Sequence, residues 1–143
     1  GQIIVSGEVN LINMLQDTLK EKKKKAILLP VSAPFHCSLM KSAAEKMKTK
    51  ILPVNFNKPN IDIISNVTAQ PENNPEKIKN LLVEQIYSRV RWRESIINMS
   101  KNNINEFIEI GPGKVLSGLS KRIIREAKAN SINTIEDIKN NLK

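Results

Sequence analysis

Short apolar runs rich in β-branched residues alternate along this chain with longer stretches of helical periodicity. The runs span residues 2–6, 26–29, 61–65 and 107–110. Runs of this kind predict strands, whereas apolar residues repeated every three or four positions predict amphipathic helices. Alternating strands and helices are typical of a layered α/β fold. The chain is therefore assigned to the α/β class, with residues 61–65 expected to be buried on both faces, as strands of a parallel sheet are.

Six stretches have the apolar spacing of helices. They are predicted at 9–22 and 38–51, from Pro75 to near Tyr87, and at three later stripes that begin at Trp92, Val115 and Ile135. Pro75 suits the first position of a helix, and Thr134 with Asp137 has the spacing of a capping box. Residues 53–59 are expected to form a loop and residues 70–75 a turn. The first strand, the first helix and the second strand together predict a strand–helix–strand unit.

The composition limits the class of protein. The 143 residues suffice for one buried core, which must be mainly aliphatic because aromatic residues make up only 3% of the chain. The single cysteine cannot form an internal disulfide, which fits a reducing, cytoplasmic location. No apolar run reaches the roughly 20 residues that span a bilayer, and the first residues lack the features of a signal peptide. No membrane association and no metal site are expected.

The formal net charge is +9, and part of the excess lies in Lys20 and residues 22–25. A basic balance suits a polyanionic partner, although a lysine-rich solvated surface is the more ordinary explanation. Nucleic acid is not the expected partner, because zinc-finger and RNA-binding aromatic motifs are absent from the sequence. The charge alone leaves a small basic binding module open as a function.

The only histidine, His36, lies where an apolar run ends and a helical stretch begins, within residues 34–40, PFHCSLM. Imidazole titrates near neutral pH, so a histidine at such a junction is a candidate general base. A second distinctive segment, EIGPGKVL, occupies residues 109–116. Its glycines permit a sharp turn between a strand and a helix. Such a turn could form a phosphate-binding nest, although the spacing of a P-loop is missing.

These segments resemble the second half of malonyl-CoA:acyl carrier protein transacylases. Further matches follow in the same order along the chain, at residues 1–7, 63–68, 85–87 and 90–92. The resemblance implies the C-terminal part of an acyltransferase fold, with a hydrolase-like α/β large subdomain and the rear of a ferredoxin-like small subdomain. Residues 1–30 would belong to the small subdomain and residues 31–143 to the large one.

The resemblance also implies roles for individual residues. His36 matches the catalytic base, and Gln85 matches the position whose main-chain carbonyl orients that base. Phe35 matches a position that narrows the acyl pocket in malonyl-selective relatives, although it could equally be a core residue. Asn66 matches an asparagine at a strand end on the substrate side, where it would fix a loop by hydrogen bonds. The GPG turn, residues 111–113, would shape the floor of the site. Cys37 is expected to be a small packed residue rather than a nucleophile.

The implied reaction transfers malonyl from malonyl-CoA to the phosphopantetheine thiol of acyl carrier protein in fatty acid biosynthesis, without a cofactor. The acyl group passes through a serine, yet no Gly-x-Ser-x-Gly elbow exists in these residues. That serine and the arginine that pairs with the malonate carboxylate would lie in an N-terminal half, and Arg89, Arg91 and Arg93 do not match that arginine. The alternatives are a non-catalytic fragment and a basic binding module for acyl carrier protein or nucleic acid.

Overall fold

The computed structural model describes residues 3–141. Within them the chain divides into two compact units. The first comprises residues 3–67 and 71–90, and the second comprises residues 68–70 and 91–141. The subdomain boundary expected at residue 30 stays a prediction, because these units reflect packing within the chain alone. No helix of the described part is long and apolar enough to cross a membrane.

The helices of the first unit agree with the predicted positions. They are α1 (Val9–Glu21), a short 3-10 turn (Ser38–Met40), α2 (Lys41–Ile51) and α3 (Pro75–Gln85). Helix α3 begins at Pro75 because the side chain of Asn74 accepts the backbone N–H groups of Glu76 and Lys77, at 3.0 and 3.1 Å. Helices α2 and α3 pack together and bury aliphatic side chains, including Ala44, Ile78 and Val83.

The predicted strand–helix–strand unit is wrong. Residues 3–6 and 26–29 lie in no helix or strand, and their apolar side chains, such as Ile3 and Ile27, are exposed. Gln2 lies outside the described residues. A strand needs a neighbouring strand for its backbone N–H and C=O groups. Neither segment finds one within the described part of the chain, so β-propensity alone does not produce strands there.

The strand predicted at 61–65 is much shorter than expected. Only Ile63–Ile64 forms a strand, β1, and it pairs antiparallel with β2 (Pro71–Glu72), which lies inside the predicted turn. Ile61 is exposed, so the expectation of a strand buried on both faces is also wrong. Strand β1 is short because its partner, β2, has only two residues and offers too few hydrogen bonds to extend the ladder. The loop predicted at 53–59 is confirmed.

The second unit is built around a strand–helix–strand motif that the sequence only partly predicted. It contains α4 (Trp92–Lys101), β3 (Glu106–Ile110), α5 (Val115–Ile123), β4 (Lys128–Ile132) and α6 (Ile135–Asn141). Strands β3 and β4 are parallel, with Phe107 opposite Ala129, and α5 packs on both of them. Strand β4, KANSI, escaped prediction because lysine and asparagine disfavour strands, and its pairing with β3 decides its conformation.

The last helix begins with the predicted capping box. The Thr134 hydroxyl accepts the N–H of Asp137 at 3.1 Å, and the Asp137 carboxylate accepts the N–H groups of Asn133 and Thr134 at 2.9 Å. These hydrogen bonds hold the pKa of Asp137 below its usual range, the N–H of Asn133 contributing most. Leu142, predicted on the stripe of this helix, lies outside the described residues.

Candidate active site around His36

The backbone of His36 is in the left-handed region, with φ at 61°. This conformation is uncommon for residues other than glycine and costs of order 1–3 kcal/mol. The His36 N–H donates to the carbonyl of Ile86, at 3.3 Å, just beyond the end of α3. The unusual backbone therefore lies at the histidine that the sequence singled out, and the end of α3 holds it. Neither feature was predicted from the sequence.

The His36 side chain contacts the same helix end. Its Nδ1 atom lies 2.9 Å from the main-chain carbonyl oxygen of Gln85, the last residue of α3. Carbonyls in the last turn of a helix lack intrahelical donors and carry the negative end of the helix dipole. Such a carbonyl accepts a proton on Nδ1, so Nε2 keeps its lone pair. The structure thus brings together the two residues that the resemblance paired.

The Gln85 side chain is a second neighbour of the imidazole. Its amide nitrogen Nε2 lies 3.3 Å from His36 Nδ1 and 3.3 Å from the carbonyl oxygen of Ser88. An Nδ1 atom that donates to the Gln85 carbonyl has no lone pair for this amide. We therefore assign the hydrogen bond of the Gln85 side-chain amide to the Ser88 carbonyl. The His36 Nδ1 proton is assigned to the 2.9 Å contact with the Gln85 main-chain carbonyl. His36 is exposed and Gln85 is half-buried, so the imidazole is open to reactants.

Phe35, Cys37 and Asn66, the other residues considered for the site, differ in burial and in hydrogen bonding. Phe35 directly precedes His36 and is 47% exposed, so its ring is not a core residue in this structure. Cys37 is half-buried and its thiol donates to the carbonyl of Pro34 at 3.2 Å. Asn66 lies half-buried in the turn after β1. Within the described residues no hydrogen bond joins Asn66 to His36 or Gln85, so its role stays a prediction.

The GPG turn is closed by a carboxylate of the same unit. Glu109, on β3, accepts the N–H groups of Leu116 and Ser117 at 3.2 and 2.8 Å, and the Ser117 hydroxyl at 2.8 Å. These bonds hold the pKa of Glu109 below its usual range, the Ser117 N–H contributing most. Gly111 and Gly113 supply the positive φ values of the turn, 137° and 95°.

This arrangement bears on the phosphate nest considered for the turn. The first N–H groups of α5 already bind an internal anion, so they are not free for a phosphate. Sequence analysis missed the cap, although a carboxylate at a strand end just before a glycine turn and a helix was visible. Among the described residues no cluster of histidine, cysteine and carboxylate groups could hold a metal ion.

Comparison with solved structures relates this geometry to known proteins. An acyl-carrier-protein S-malonyltransferase from Bartonella henselae superposes with a TM-score of 0.88 and is 46% identical, covering 95% of this chain and 44% of that protein. The chain is a homologue of the malonyl-CoA:acyl carrier protein transacylases. The predicted resemblance and the predicted fold class, a C-terminal portion of an α/β acyltransferase, are thereby confirmed. No protein-family profile matches the chain.

Two further transacylases show the same partial coverage. The malonyl-CoA:acyl carrier protein transacylase of Staphylococcus aureus (strain COL) is 43% identical over 140 residues, which cover 97% of this chain and 46% of that protein. A malonyl-transacylase solved in complex with its type II polyketide-synthase acyl carrier protein is 35% identical with a TM-score of 0.86, covering 93% of this chain and 43% of that one. The chain thus spans less than half the length of these relatives.

Proposed function

We propose that the chain forms the C-terminal portion of a malonyl-CoA:acyl carrier protein transacylase, an acyltransferase in which His36 is the general base. The observation that carries this proposal is the contact between His36 Nδ1 and the Gln85 carbonyl, which leaves Nε2 to take a proton. Residues 1–30 would belong to the small subdomain of that enzyme and residues 31–143 to the large one.

The first half of the reaction acylates a serine that lies outside these residues. His36 Nε2 takes the proton from the serine hydroxyl as its oxygen attacks the thioester carbonyl of malonyl-CoA. The carbon–sulfur bond then breaks, and the imidazolium gives its proton to the departing CoA sulfur. The Gln85 carbonyl stabilises the imidazolium between these steps, because it accepts the proton on Nδ1 at the negative end of α3.

The second half transfers the malonyl group. His36 takes the proton of the phosphopantetheine thiol of acyl carrier protein, the thiolate attacks the malonyl-serine ester, and the serine oxygen leaves and recovers the proton. Atoms and charges balance in both halves without a cofactor, and we propose none. Malonyl-CoA is the donor, and the product serves fatty acid biosynthesis in the cytoplasm.

Phe35 and Asn66 would act on the substrate side. The Phe35 ring is partly exposed and its neighbour is the base, so it can narrow the space beside C2 of the acyl group. This placement favours malonyl over acyl groups that carry a methyl branch. Asn66, in the turn after β1, would fix the substrate-side loop by hydrogen bonds.

Acyl carrier protein is the proposed protein partner. The malonyl-transacylase that is similar to this chain was solved with its acyl carrier protein bound. Acyl carrier proteins are generally acidic, and this chain carries a net charge of +9, with Lys121 and Arg122 in the last turn of α5. Opposite charges steer such partners together in a salt-dependent way. A second proposed partner is the polypeptide that carries the nucleophilic serine.

The test is malonyl transfer from malonyl-CoA to acyl carrier protein. The chain would be assayed alone and together with a complementing polypeptide, defined as the portion of the Staphylococcus aureus transacylase that this chain does not match. We expect transfer only in the mixture. Absence of transfer from a mixture that forms a complex would overturn the proposal and leave a non-catalytic fragment. Transfer by the chain alone would show that the nucleophile has been misplaced.

A further inference from the structure

Helix α3 carries a buried lysine that the proposed reaction does not use. Lys79 is only 7% exposed, and lysine side chains are seldom buried without a partner. Its ammonium nitrogen Nζ lies 3.0 Å from the Glu76 carboxylate on the same helix and 3.5 Å from the carbonyl oxygen of Leu52. It also lies 5.5 Å from the centre of the Phe56 ring. The charge is thus held by three different groups, as a buried ammonium requires.

Two of these groups come from the C-terminal end of α2 rather than from α3. Leu52 caps that end of α2, and Phe56 lies in the loop that follows it. Carbonyls at the end of a helix lack intrahelical donors and carry the negative end of the helix dipole, so a cation is favoured there. Lys79 therefore caps α2 from the neighbouring helix and fastens the end of α2 and its loop to α3.

The opposite end of α2 leads to the candidate base. The 3-10 turn at Ser38–Met40 runs directly into α2, and His36 lies just before that turn. His36 bonds to the carbonyls of Gln85 and Ile86 at the end of α3. Helix α3 is therefore joined to the α2 segment at two places, at its end by His36 and, about 9 Å earlier along the helix, by Lys79.

The polar contacts of Lys79 restrict the helix pair more than its apolar contacts do. Burial of aliphatic residues such as Ala44 and Ile78 favours contact between α2 and α3, but the hydrophobic effect is non-directional. An ammonium that slides away from its acceptors loses hydrogen bonds in a buried place and is left unpaired. The contacts of Lys79 therefore fix the position of α3 along α2.

We propose that Lys79 is a positioning residue for His36. By fixing α3 along α2 it sets where α3 ends, and it thereby holds the Gln85 and Ile86 carbonyls at hydrogen-bonding distance from His36. Lys79 does not touch the reactants and acts only through α3. Its effect on catalysis rests on the proposed function, whereas the placement of His36 can be measured in the chain itself.

NMR spectroscopy of the chain measures this placement in two ways. Hydrogen exchange reports on the His36 N–H that donates to Ile86, and ¹H–¹⁵N correlation spectra report the imidazole tautomer. Lys79→Met keeps an unbranched side chain but removes the charge and its N–H donors. We expect this variant to speed exchange of the His36 N–H about tenfold or more and to raise the share of the Nε2–H tautomer. Lys79→Arg keeps a cation with N–H donors and should restore both readouts.

Two further variants make the test specific. Lys77→Met is the matched control, because the Lys77 side chain lies on the same helix, is 68% exposed and pairs with Glu72 at 3.7 Å. It should leave both readouts unchanged. Phe56→Leu removes the cation–ring contact but keeps the charge, so it should shift both readouts in the same direction by a smaller amount. This milder variant decides the question where Lys79→Met does not fold.

Unchanged readouts in Lys79→Met, or in Phe56→Leu where only that variant folds, would overturn the proposal. Equal changes in Lys77→Met, or no recovery in Lys79→Arg, would overturn it too, because the buried cation would then not be the cause. Circular dichroism confirms which variants are folded.

Malonyl transfer in the mixture with the complementing polypeptide separates this proposal from the enzymatic one. We expect Lys79→Met to lower kcat about tenfold and to leave the KM for malonyl-CoA within about threefold. An unchanged kcat in an active mixture would overturn the effect on catalysis. An unmodified mixture that is inactive, with His36 still displaced in Lys79→Met, would support the positioning role and refute the enzymatic function.

Discussion

The Nδ1 atom of His36 lies 2.9 Å from the main-chain carbonyl oxygen of Gln85, a residue 49 positions later at the end of α3. A carbonyl fixes the imidazole by a hydrogen bond without the full negative charge of a carboxylate. The acceptor also belongs to the backbone, so substitution of the Gln85 side chain leaves it in place. The orientation of the base thus depends on where α3 ends rather than on a second catalytic side chain.

The first prediction concerns the tautomer of His36. Because the Gln85 carbonyl accepts a proton, neutral His36 should carry its hydrogen on Nδ1 and a lone pair on Nε2. Long-range ¹H–¹⁵N correlation spectra of the chain resolve this directly, since His36 is its only histidine. A dominant Nε2–H tautomer would be inconsistent with the proposed base.

The second prediction concerns the helix that carries Gln85. Asn74→Ala removes the acceptor for the N–H groups of Glu76 and Lys77, so the free energy of unfolding should fall by about 1 kcal/mol. Urea denaturation measures the change. Asn57→Ala, in an exposed loop, is the matched control and should change stability by less than about 0.5 kcal/mol. Equal losses from both substitutions would refute the capping role.

The third prediction concerns the pH dependence of stability. The hydrogen bonds to Glu109 depress its pKa in the folded state. Its contribution to stability is therefore complete above the unfolded pKa of about 4.3, and is lost as the pH falls through the lower folded pKa. The melting temperature of the unmodified chain should fall on acidification in this range, and that of Glu109→Gln should fall less.

Two features sharpen that experiment. The pKa values of Glu72 and Asp137 are also depressed, mainly by the backbone N–H groups of Asn74 and Asn133. The dependence of stability on pH should therefore be weaker in Glu109→Gln but should not vanish. Glu106→Gln removes the same charge from an exposed position of the same strand. Identical pH profiles for the Glu109 and Glu106 variants would show that the cap on α5 does not stabilise the fold.

The fourth prediction concerns acyl selectivity. In the mixture with the complementing polypeptide, Phe35→Ser should raise the rate with methylmalonyl-CoA relative to malonyl-CoA by about tenfold, because a smaller side chain leaves room for a methyl group. Met47→Ser, a substitution of a similarly exposed apolar residue on α2, should leave the ratio unchanged. The ratio of kcat/KM for methylmalonyl-CoA to kcat/KM for malonyl-CoA measures this selectivity. An unchanged ratio in Phe35→Ser would exclude a selective role for Phe35.

The helices were predictable from the sequence, whereas most strands were not. Apolar spacing and local start signals, such as Pro75 at the start of α3 and Thr134 before α6, act within a few residues and can be recognised directly. Strands depend on distant partners. Residues 26–29 have strand-forming side chains but no neighbouring strand in the described part, whereas residues 128–132 have polar ones and still pair with β3.

The residues of the candidate site were proposed from the sequence and stay a prediction, whereas their conformation was not predicted at all. The PFHCSLM segment singled out His36, and the resemblance supplied Gln85. The left-handed backbone of His36 and the N–H bond to Ile86 depend on the meeting of two segments far apart in sequence. The Glu109 cap likewise requires the turn geometry that Gly111 and Gly113 permit.

The most direct test of the account is malonyl transfer by the mixture of the complementing polypeptide with His36→Ala, compared with Gln85→Ala. Loss of the base should lower kcat by about 10²- to 10⁴-fold. Gln85→Ala retains the main-chain carbonyl, so its kcat should stay within a few-fold of that of the unmodified mixture. Transfer by His36→Ala at the unmodified rate would contradict the assignment of His36 as the base.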